Sequence, residues 1–243
     1  MEENKDLKKI VIGVPHTGVF NAHTVMSLLS LAVPDGYQMQ FHFVASCLLY
    51  ESRERIARYA LQENADYLLF LDSDMVVPYD LVVKLVKHDL MFVTGMAFKR
   101  IYPYQPCFYT TVRLKKDFKP ILESPAEFPD EGLLKIEGAG MACCLIKTDV
   151  FRNVKPPWFF PLPNIGEDLT FCLKLQKNKI DMFVDLGINV GHVGDTIVQK
   201  EYFKETYDIH VKSGKKGLLF GDASSDCAFF SDVKDKGGAE LEL

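Results

Sequence analysis

The stretch that most constrains the fold is Ala65-Asp66-Tyr67-Leu68-Leu69-Phe70-Leu71-Asp72-Ser73-Asp74. A short apolar run of this kind reads as a strand buried on both faces of a parallel sheet. The run stops at two aspartates separated by one residue. Ligands of open parallel sheets bind beyond the carboxyl ends of the strands, so Asp72 and Asp74 fall on the functional rim. Two carboxylates aimed at one point repel each other unless a cation lies between them. The tripeptide admits two readings. One is a divalent-metal site that also holds phosphates. The other is a solvated Asp-Ser-Asp turn ahead of a helix that starts near Pro78.

The flanking segments complete an α/β pattern. Lys9-Ile10-Val11-Ile12-Gly13-Val14 reads as a first core strand that stops at Pro15-His16-Thr17-Gly18. Asn21 is placed to cap a helix to about residue 32, with Val25, Leu28, Leu29 and Ala32 on its inner face. A second strand over 37–44 follows, then a helix capped by Ser52 in which Ile56, Tyr59 and Ala60 share a side. Strand, helix, strand, helix, strand is a doubly wound pattern. A short helix over 79–88 and a strand over 91–98 lead to Lys99-Arg100.

Between 101 and 131 five prolines interrupt any regular element, leaving a hairpin near 107–114 and a long loop. Strands over 133–137 and 141–146 flank Gly138-Ala139-Gly140, where backbone or ligand can approach closely. A rigid aromatic segment, Pro156-Pro157-Trp158-Phe159-Phe160-Pro161-Leu162-Pro163, runs into Gly166-Glu167-Asp168 and a helix to about 177. A strand over 182–186 is followed by Gly191-His192-Val193-Gly194. The organisation expected is one domain over 1–210 and a polar tail over 211–243, with 218–220 and 228–230 as its anchors.

Of 243 residues, 48% are hydrophobic, enough for one large core or two small ones. The net charge of −5 argues against a general nucleic-acid binder, which carries a basic excess. Cys47, Cys107, Cys143, Cys144, Cys172 and Cys227 form no C-x-x-C pair and read as buried thiols of a reducing compartment. The N-terminus is charged and lacks an apolar signal region, and no apolar run reaches the roughly 18 residues of a membrane span. A cytoplasmic protein is expected, with peripheral membrane contact left open.

Several residues carry candidate chemistry. Glu167 and Asp168 open a helix, where carboxylates also favour the positive dipole end. At the rim of the sheet either could instead accept a proton from a hydroxyl. Trp158, just upstream, offers an indole face that suits a sugar. His192 sits between glycines past a strand, and imidazole beside carboxylates suits Mn²⁺ better than Mg²⁺. Arg53, Arg55, Lys99 and Arg100 flank strand ends and are candidates for phosphate contact, or else solvated charges. Pro15, His16 and Thr17 follow the first strand, where a nucleotide base or ribose would sit.

Four of these pieces, in this order, resemble glycosyltransferases of the GT-A fold, near the family-two-like bacterial and phage group. They are Val14-Pro15; the helix from Arg53 with the D-x-D stretch 65–75; Gly138-Ala139-Gly140-Met141-Ala142-Cys143-Cys144-Leu145-Ile146; and Gly166-Glu167-Asp168-Leu169-Thr170-Phe171-Cys172 with His192 after it. The likeness covers about residues 8–195. It implies a mixed, mostly parallel central sheet with helices on both faces. It also implies transfer of a sugar from a UDP- or GDP-sugar to a hydroxyl acceptor on a glycan, a lipid-linked molecule or a protein. Asp74 and His192 would hold Mn²⁺ or Mg²⁺, with Asp72 on the metal, its water or the ribose. Ser73, Arg53, Lys99 and Arg100 would assist at the donor. Asp168, with Glu167, would be the base if the anomeric carbon is inverted and would hold the acceptor if its configuration is retained, and Trp158 with Gly138, Ala139 and Gly140 would line the acceptor side. A metal-dependent phosphohydrolase and a non-catalytic nucleotide-sugar binding module are the competing readings. A nucleotidyltransferase would call for a basic Gly-rich loop after the first strand, and Pro15-His16-Thr17-Gly18 lacks the basic residue.

Overall fold

A computed structural model describes residues 7–45, 48–102, 104–194 and 197–212. Strand β1 (Lys8–His16) leads to helix α1 (Ala22–Leu29), β2 (Tyr37–Ala45), α2 (Leu49–Gln62) and β3 (Tyr67–Leu71). A two-residue strand β4 (Met75–Val76), helix α3 (Leu81–Lys87) and β5 (Phe92–Met96) follow. The proline-broken stretch holds β6 (Phe108–Tyr109), β7 (Thr111–Leu114) and β8 (Pro120–Glu123). Then come β9 (Leu133–Ile136), β10 (Gly138–Ala139), β11 (Cys143–Lys147), α4 (Asp149–Asn153) and α5 (Glu167–Lys177). The described chain closes with β12 (Met182–Asn189), β13 (Gly191–Val193), β14 (Ile197–Val198) and α6 (Lys200–Lys212).

Seven strands form the main sheet in the order β2-β1-β3-β11-β5-β12-β9. β1 is parallel to β2 and β3, β11 is antiparallel to β3 and β5, β12 is parallel to β5, and β9 is antiparallel to β12. Five of the seven strands therefore run one way, and the mixed, mostly parallel α/β architecture expected from the sequence is borne out. β3 is buried at all five positions. Its alternate residues feed two cores. Leu68 and Phe70 pack with Ile56, Ala57 and Ala60 of α2 on one face. Tyr67, Leu69 and Leu71 pack with Leu81, Val82 and Leu85 of α3 on the other. Gly13 of β1 is needed for that packing, because a Cβ there would lie 2.2 Å from Ile56 Cγ2 of α2.

Several local expectations shift. Asn21 does cap α1, its Oδ1 accepting from the His23 N–H at 2.9 Å. The helix ends at Leu29, however, and buries Thr24, Ser27 and Leu28. Val25 and Leu29, expected inside, are 38% and 78% exposed. Ser52 caps nothing: α2 starts three residues earlier, and Ser52 is buried within it. The hairpin of the proline-rich stretch is β7 with β8, and β6 pairs with β10 instead. α4 and α6 were not foreseen. The anticipated anchors at 218–220 and 228–230 lie outside the described residues. Among the described residues, no helix is long and apolar enough to cross a membrane.

Candidate functional site

The rim of the main sheet gathers most of the singled-out charged side chains. β3 is parallel to β1 with Phe70 opposite Gly13, so His16 and the Asp72-Ser73-Asp74 turn lie at the same edge. The turn is held by the Asp72 N–H, which donates to the Ala142 carbonyl at 3.1 Å, and by the Met75 N–H, which donates to the Asp72 carbonyl at 3.2 Å. Arg53, the fifth residue of α2, is only 2% exposed and sits over the Phe70 ring. Its Nη2 donates to both Asp72 carboxylate oxygens at 3.0 and 3.2 Å. Its Nε donates to Glu167 Oε1 at 3.2 Å, and its Nη1 to the Met141 carbonyl at 3.2 Å. One guanidinium fork thus ties the D-x-D turn, the start of α5 and the segment before β11 together. Burial works against its charge, but Asp72, Glu167 and Asp168 outweigh burial and leave its pKa raised. This corrects the expectation of a phosphate contact: the donors of Arg53 are already committed to protein acceptors.

Asp168 is the second residue of α5. Its Oδ1 accepts from the Leu169 N–H at 2.7 Å. Its other oxygen faces Gly140, where a built Cβ would lie 3.6 Å away. Burial first, and then the Glu167 carboxylate, pushes the Asp168 pKa up to about 6, against the pull of the Leu169 N–H and Arg53. A carboxylate titrating near neutral pH is suited to accept a proton and to release it again. At Gly166, just before the helix, a Cβ would stand 2.7 Å from Asp168 Oδ1, so a side chain there would have to displace the Asp168 carboxylate.

Asp74 and His192 meet through a second, small sheet. β13 pairs with β4, placing His192 opposite Met75, and the Val193 N–H donates to the Asp74 carbonyl at 2.8 Å. His192 therefore sits on a short strand of its own past β12. Its Nδ1 lies 2.7 Å from the Phe98 carbonyl oxygen. A carbonyl only accepts, so Nδ1 carries a proton and Nε2 is the nitrogen left to face the turn. That nitrogen is 3.3 Å from Asp74 Oδ2. An imidazole anchored through its other nitrogen to a carbonyl is the usual support for a metal ligand. The donor set fits a divalent cation with two protein ligands. Arg100 Nη1 also reaches Asp74 Oδ2, at 3.1 Å, and donates to the Val193 carbonyl. Burial works to raise the Asp74 carboxyl, and His192 and Arg100 outweigh it and hold it below the ordinary range. Among the described residues there is no group of three or more His, Cys, Asp or Glu side chains poised around one ion. Asp72 is taken up by Arg53, so its expected place as a direct metal ligand is not what the geometry favours.

Other expected site residues sit elsewhere. Trp158 is a core residue, 3% exposed, and its indole N–H donates to the Val154 carbonyl at 2.7 Å. The Phe151 ring packs edge-on against it. Its proposed place in an acceptor pocket is corrected: Glu54 of α2 accepts the Trp158 and Phe159 N–H groups and clamps the aromatic segment inward. Gly138 and Ala139 form β10 and pack under α5, where a Cβ on Gly138 would meet Val112, Leu169 and Cys172. Only Gly140 of that trio faces the acids. Lys99 donates to Gln105 Oε1 at 3.2 Å, and burial lowers its pKa. Pro15 is buried, His16 Nδ1 accepts from the Gly18 N–H at 3.0 Å, and Thr17 and Arg55 face solvent. The Phe98 and Met141 carbonyls were not anticipated, and a backbone acceptor leaves no trace in residue identity.

No family model matches the chain, and no curated protein matches it by sequence. Solved structures do. The A197 protein from STIV is 15% identical over 81% of this chain and 92% of its own, with a TM-score of 0.59. GalNAc-T7, solved with UDP, GalNAc and Mn²⁺, is 12% identical over 92% of this chain, with a TM-score of 0.52. This chain spans about half of that protein, 53% of it. At such identities the likeness is one of fold, a GT-A-like arrangement.

Proposed function

We propose that the chain is a glycosyltransferase that moves a sugar from a nucleoside diphosphate sugar, with UDP or GDP as the nucleotide, to a hydroxyl acceptor. The observation that carries this reading is the convergence at one sheet edge of an aspartate–histidine pair, Asp74 and His192, with a carboxylate titrating near neutral pH, Asp168. The fold shared with a protein solved with UDP, GalNAc and Mn²⁺ supports it. So does charge. Arg53 offsets only one of the three carboxylates around it, so a diphosphate approaching this edge meets net negative charge unless a cation intervenes.

In this reading Asp74 and His192 would hold a divalent ion, which would supply Lewis-acid neutralisation of the departing diphosphate. Asp168 accepts the proton of the acceptor hydroxyl as that oxygen attacks the anomeric carbon. Glu167 and Asp72 are held by Arg53, which fixes the distance between the donor side and the base. Arg100, half-exposed and bonded to Asp74, adds positive charge where the phosphates would lie. Gly140 leaves the space beside Asp168 open for the acceptor oxygen.

Calorimetric titration of UDP and GDP, each with Mn²⁺ and again with chelator, tests the donor half. Binding that depends on Mn²⁺ is expected, and equal affinity under both conditions would remove the cation from the site. The competing phosphohydrolase would release phosphate from simple phosphoesters with no sugar acceptor. A binding module would hold the nucleotide sugar without consuming it.

A further inference from the structure

From Ile10 to Tyr50 the only charged side chain is Asp35, in a chain that is 25% charged. These residues build β1, α1 and β2, yet they are not all inside. Phe20, Val25, Leu28, Leu29, Phe41 and Phe43 line an apolar groove of about 410 Å³ with no polar lining surface. Leu29 and Met26 of α1 are 78% and 67% exposed, and Phe43 of β2 is 48% exposed. β2 is also the outermost strand of the seven, with no partner beyond it among the described residues. It runs nine residues, Tyr-Gln-Met-Gln-Phe-His-Phe-Val-Ala, with no charge and no proline. Edge strands of monomers are normally blunted by one or the other.

We propose that this edge is a homodimer interface, in which β2 pairs antiparallel with β2 of a second copy about a two-fold axis. A nucleotide or sugar has nothing to hydrogen-bond to in this groove. An anionic membrane surface would call for flanking Lys and Arg, which this stretch lacks. A second copy supplies both the missing backbone partners and the matching apolar surface. The register that pairs all nine residues puts Phe41 opposite Phe41 of the partner and Met39 opposite its Phe43. No charge faces a like charge anywhere along the ladder, the condition a self-pairing strand must meet. The exposed apolar side chains of this face amount to on the order of 500 Å² a side, and the strand backbone adds to that, within reach of the roughly 800 Å² per partner of a standard interface. Depletion of charge at the centre of the patch is the compositional mark of such interfaces.

The register makes a specific demand on residue 41, which meets itself across the axis. The full chain is expected to sediment as a dimer at about 100 μM. Phe41→Lys and Phe41→Glu should each weaken the dimer at least tenfold, and mixing the two should restore a heterodimer by charge complementarity. Leu29→Lys, at a mostly exposed position, keeps the test open should a β2 variant fail to fold, and it too should weaken association at least tenfold. A monomeric wild type at 100 μM overturns the proposal, whether the edge is then covered by residues 213–243 or occupied by neutral lipid vesicles that float with the protein. So does a dimer indifferent to these substitutions. Sedimentation reads none of the nucleotide chemistry, so the outcome is independent of the proposed activity.

Discussion

Replacing Asp168 by Asn should make the protein more stable and less active. The Asp168 carboxyl titrates at about 6 in the folded state against an ordinary value of 3.8. Each pKa unit corresponds to about 1.4 kcal/mol, so ionising Asp168 costs the fold on the order of 2–3 kcal/mol that the unfolded chain does not bear. The sign follows from proton binding. Between about pH 4 and pH 6 the folded state retains a proton that the unfolded state has released. Stability contributed by the protonated carboxyl is therefore whole below about 3.8 and lost as pH rises through 6. Asn keeps the neutral form at every pH, and its Oδ1 can still accept from the Leu169 N–H. The variant should match wild type near pH 4 and exceed it by about 2–3 kcal/mol at pH 7.5, or roughly 5–10 °C in Tm for a chain of this size.

Scanning calorimetry at the two pH values, with chelator and without nucleotide, measures this directly. The charged and titratable groups that act on the carboxyl are Glu167, Asp72 and Arg53, and the comparison at two pH values isolates Asp168 from them. Were Asp168 merely a favourable acid at the start of α5, neutralising it would lose about 0.3–1 kcal/mol of dipole interaction, the opposite sign. A Tm that falls at pH 7.5, or rises equally at both pH values, refutes the burial argument. Sugar transfer should drop by about 10²-fold or more in the same variant. In the wild type it should decline about tenfold per pH unit below 6, as the base is protonated.

Other substitutions probe the same edge. Arg53→Met leaves Asp72 and Glu167 without their cation, and should cost about 3–5 kcal/mol in urea unfolding at pH 7, as removal of one partner from a buried ionic network does. His192→Ala should weaken Mn²⁺-dependent nucleotide binding in calorimetry while metal-free Tm moves by only a few degrees, and identical Mn²⁺ titrations would leave Asp74 as the single ligand. Trp158→Ala should unfold about 3–5 kcal/mol more easily because a core ring is lost. The KM for acceptor in the fraction that folds should be unchanged, and a raised KM at full stability would return the indole to a pocket.

Much of the sheet was legible because each inner strand is a short apolar run with a sharp end. β3 announces itself by five apolar residues followed by Asp72, and α5 by Gly166-Glu167-Asp168 ahead of an apolar stripe. The errors share a cause. Leu29 and Val25 look like the inner face of a helix by period alone, because periodicity records which residues share a side and not what that side meets. Trp158 looks like an exposed platform because prolines surround it. Whether such a segment turns outward or inward depends on Glu54, more than a hundred residues earlier, whose carboxylate collects the Trp158 and Phe159 N–H groups.

Arg53 shows why residue types at a site can be read while their roles cannot. Its position near a strand end suggests a phosphate ligand, and nothing local to it says otherwise. The competing acceptors come from three remote places: the turn after β3, the first residue of α5 and the carbonyl of Met141. Together they outbid solvent for a guanidinium that α2 carries 2% exposed. Removing Arg53 from the phosphate inventory then changes what the rest must do. Of the cationic side chains expected at the donor, Lys99 turns toward Gln105, and Arg100 reaches the aspartate that His192 also faces. An edge holding Asp72, Asp74, Glu167 and Asp168 has Arg53 buried among its acceptors, and among these side chains half-exposed Arg100 alone is left to meet a diphosphate, one charge against four carboxylates. In the proposed reaction a divalent ion held by Asp74 and His192 would supply the missing positive charge for the donor, and chelation should weaken nucleotide binding as well as transfer.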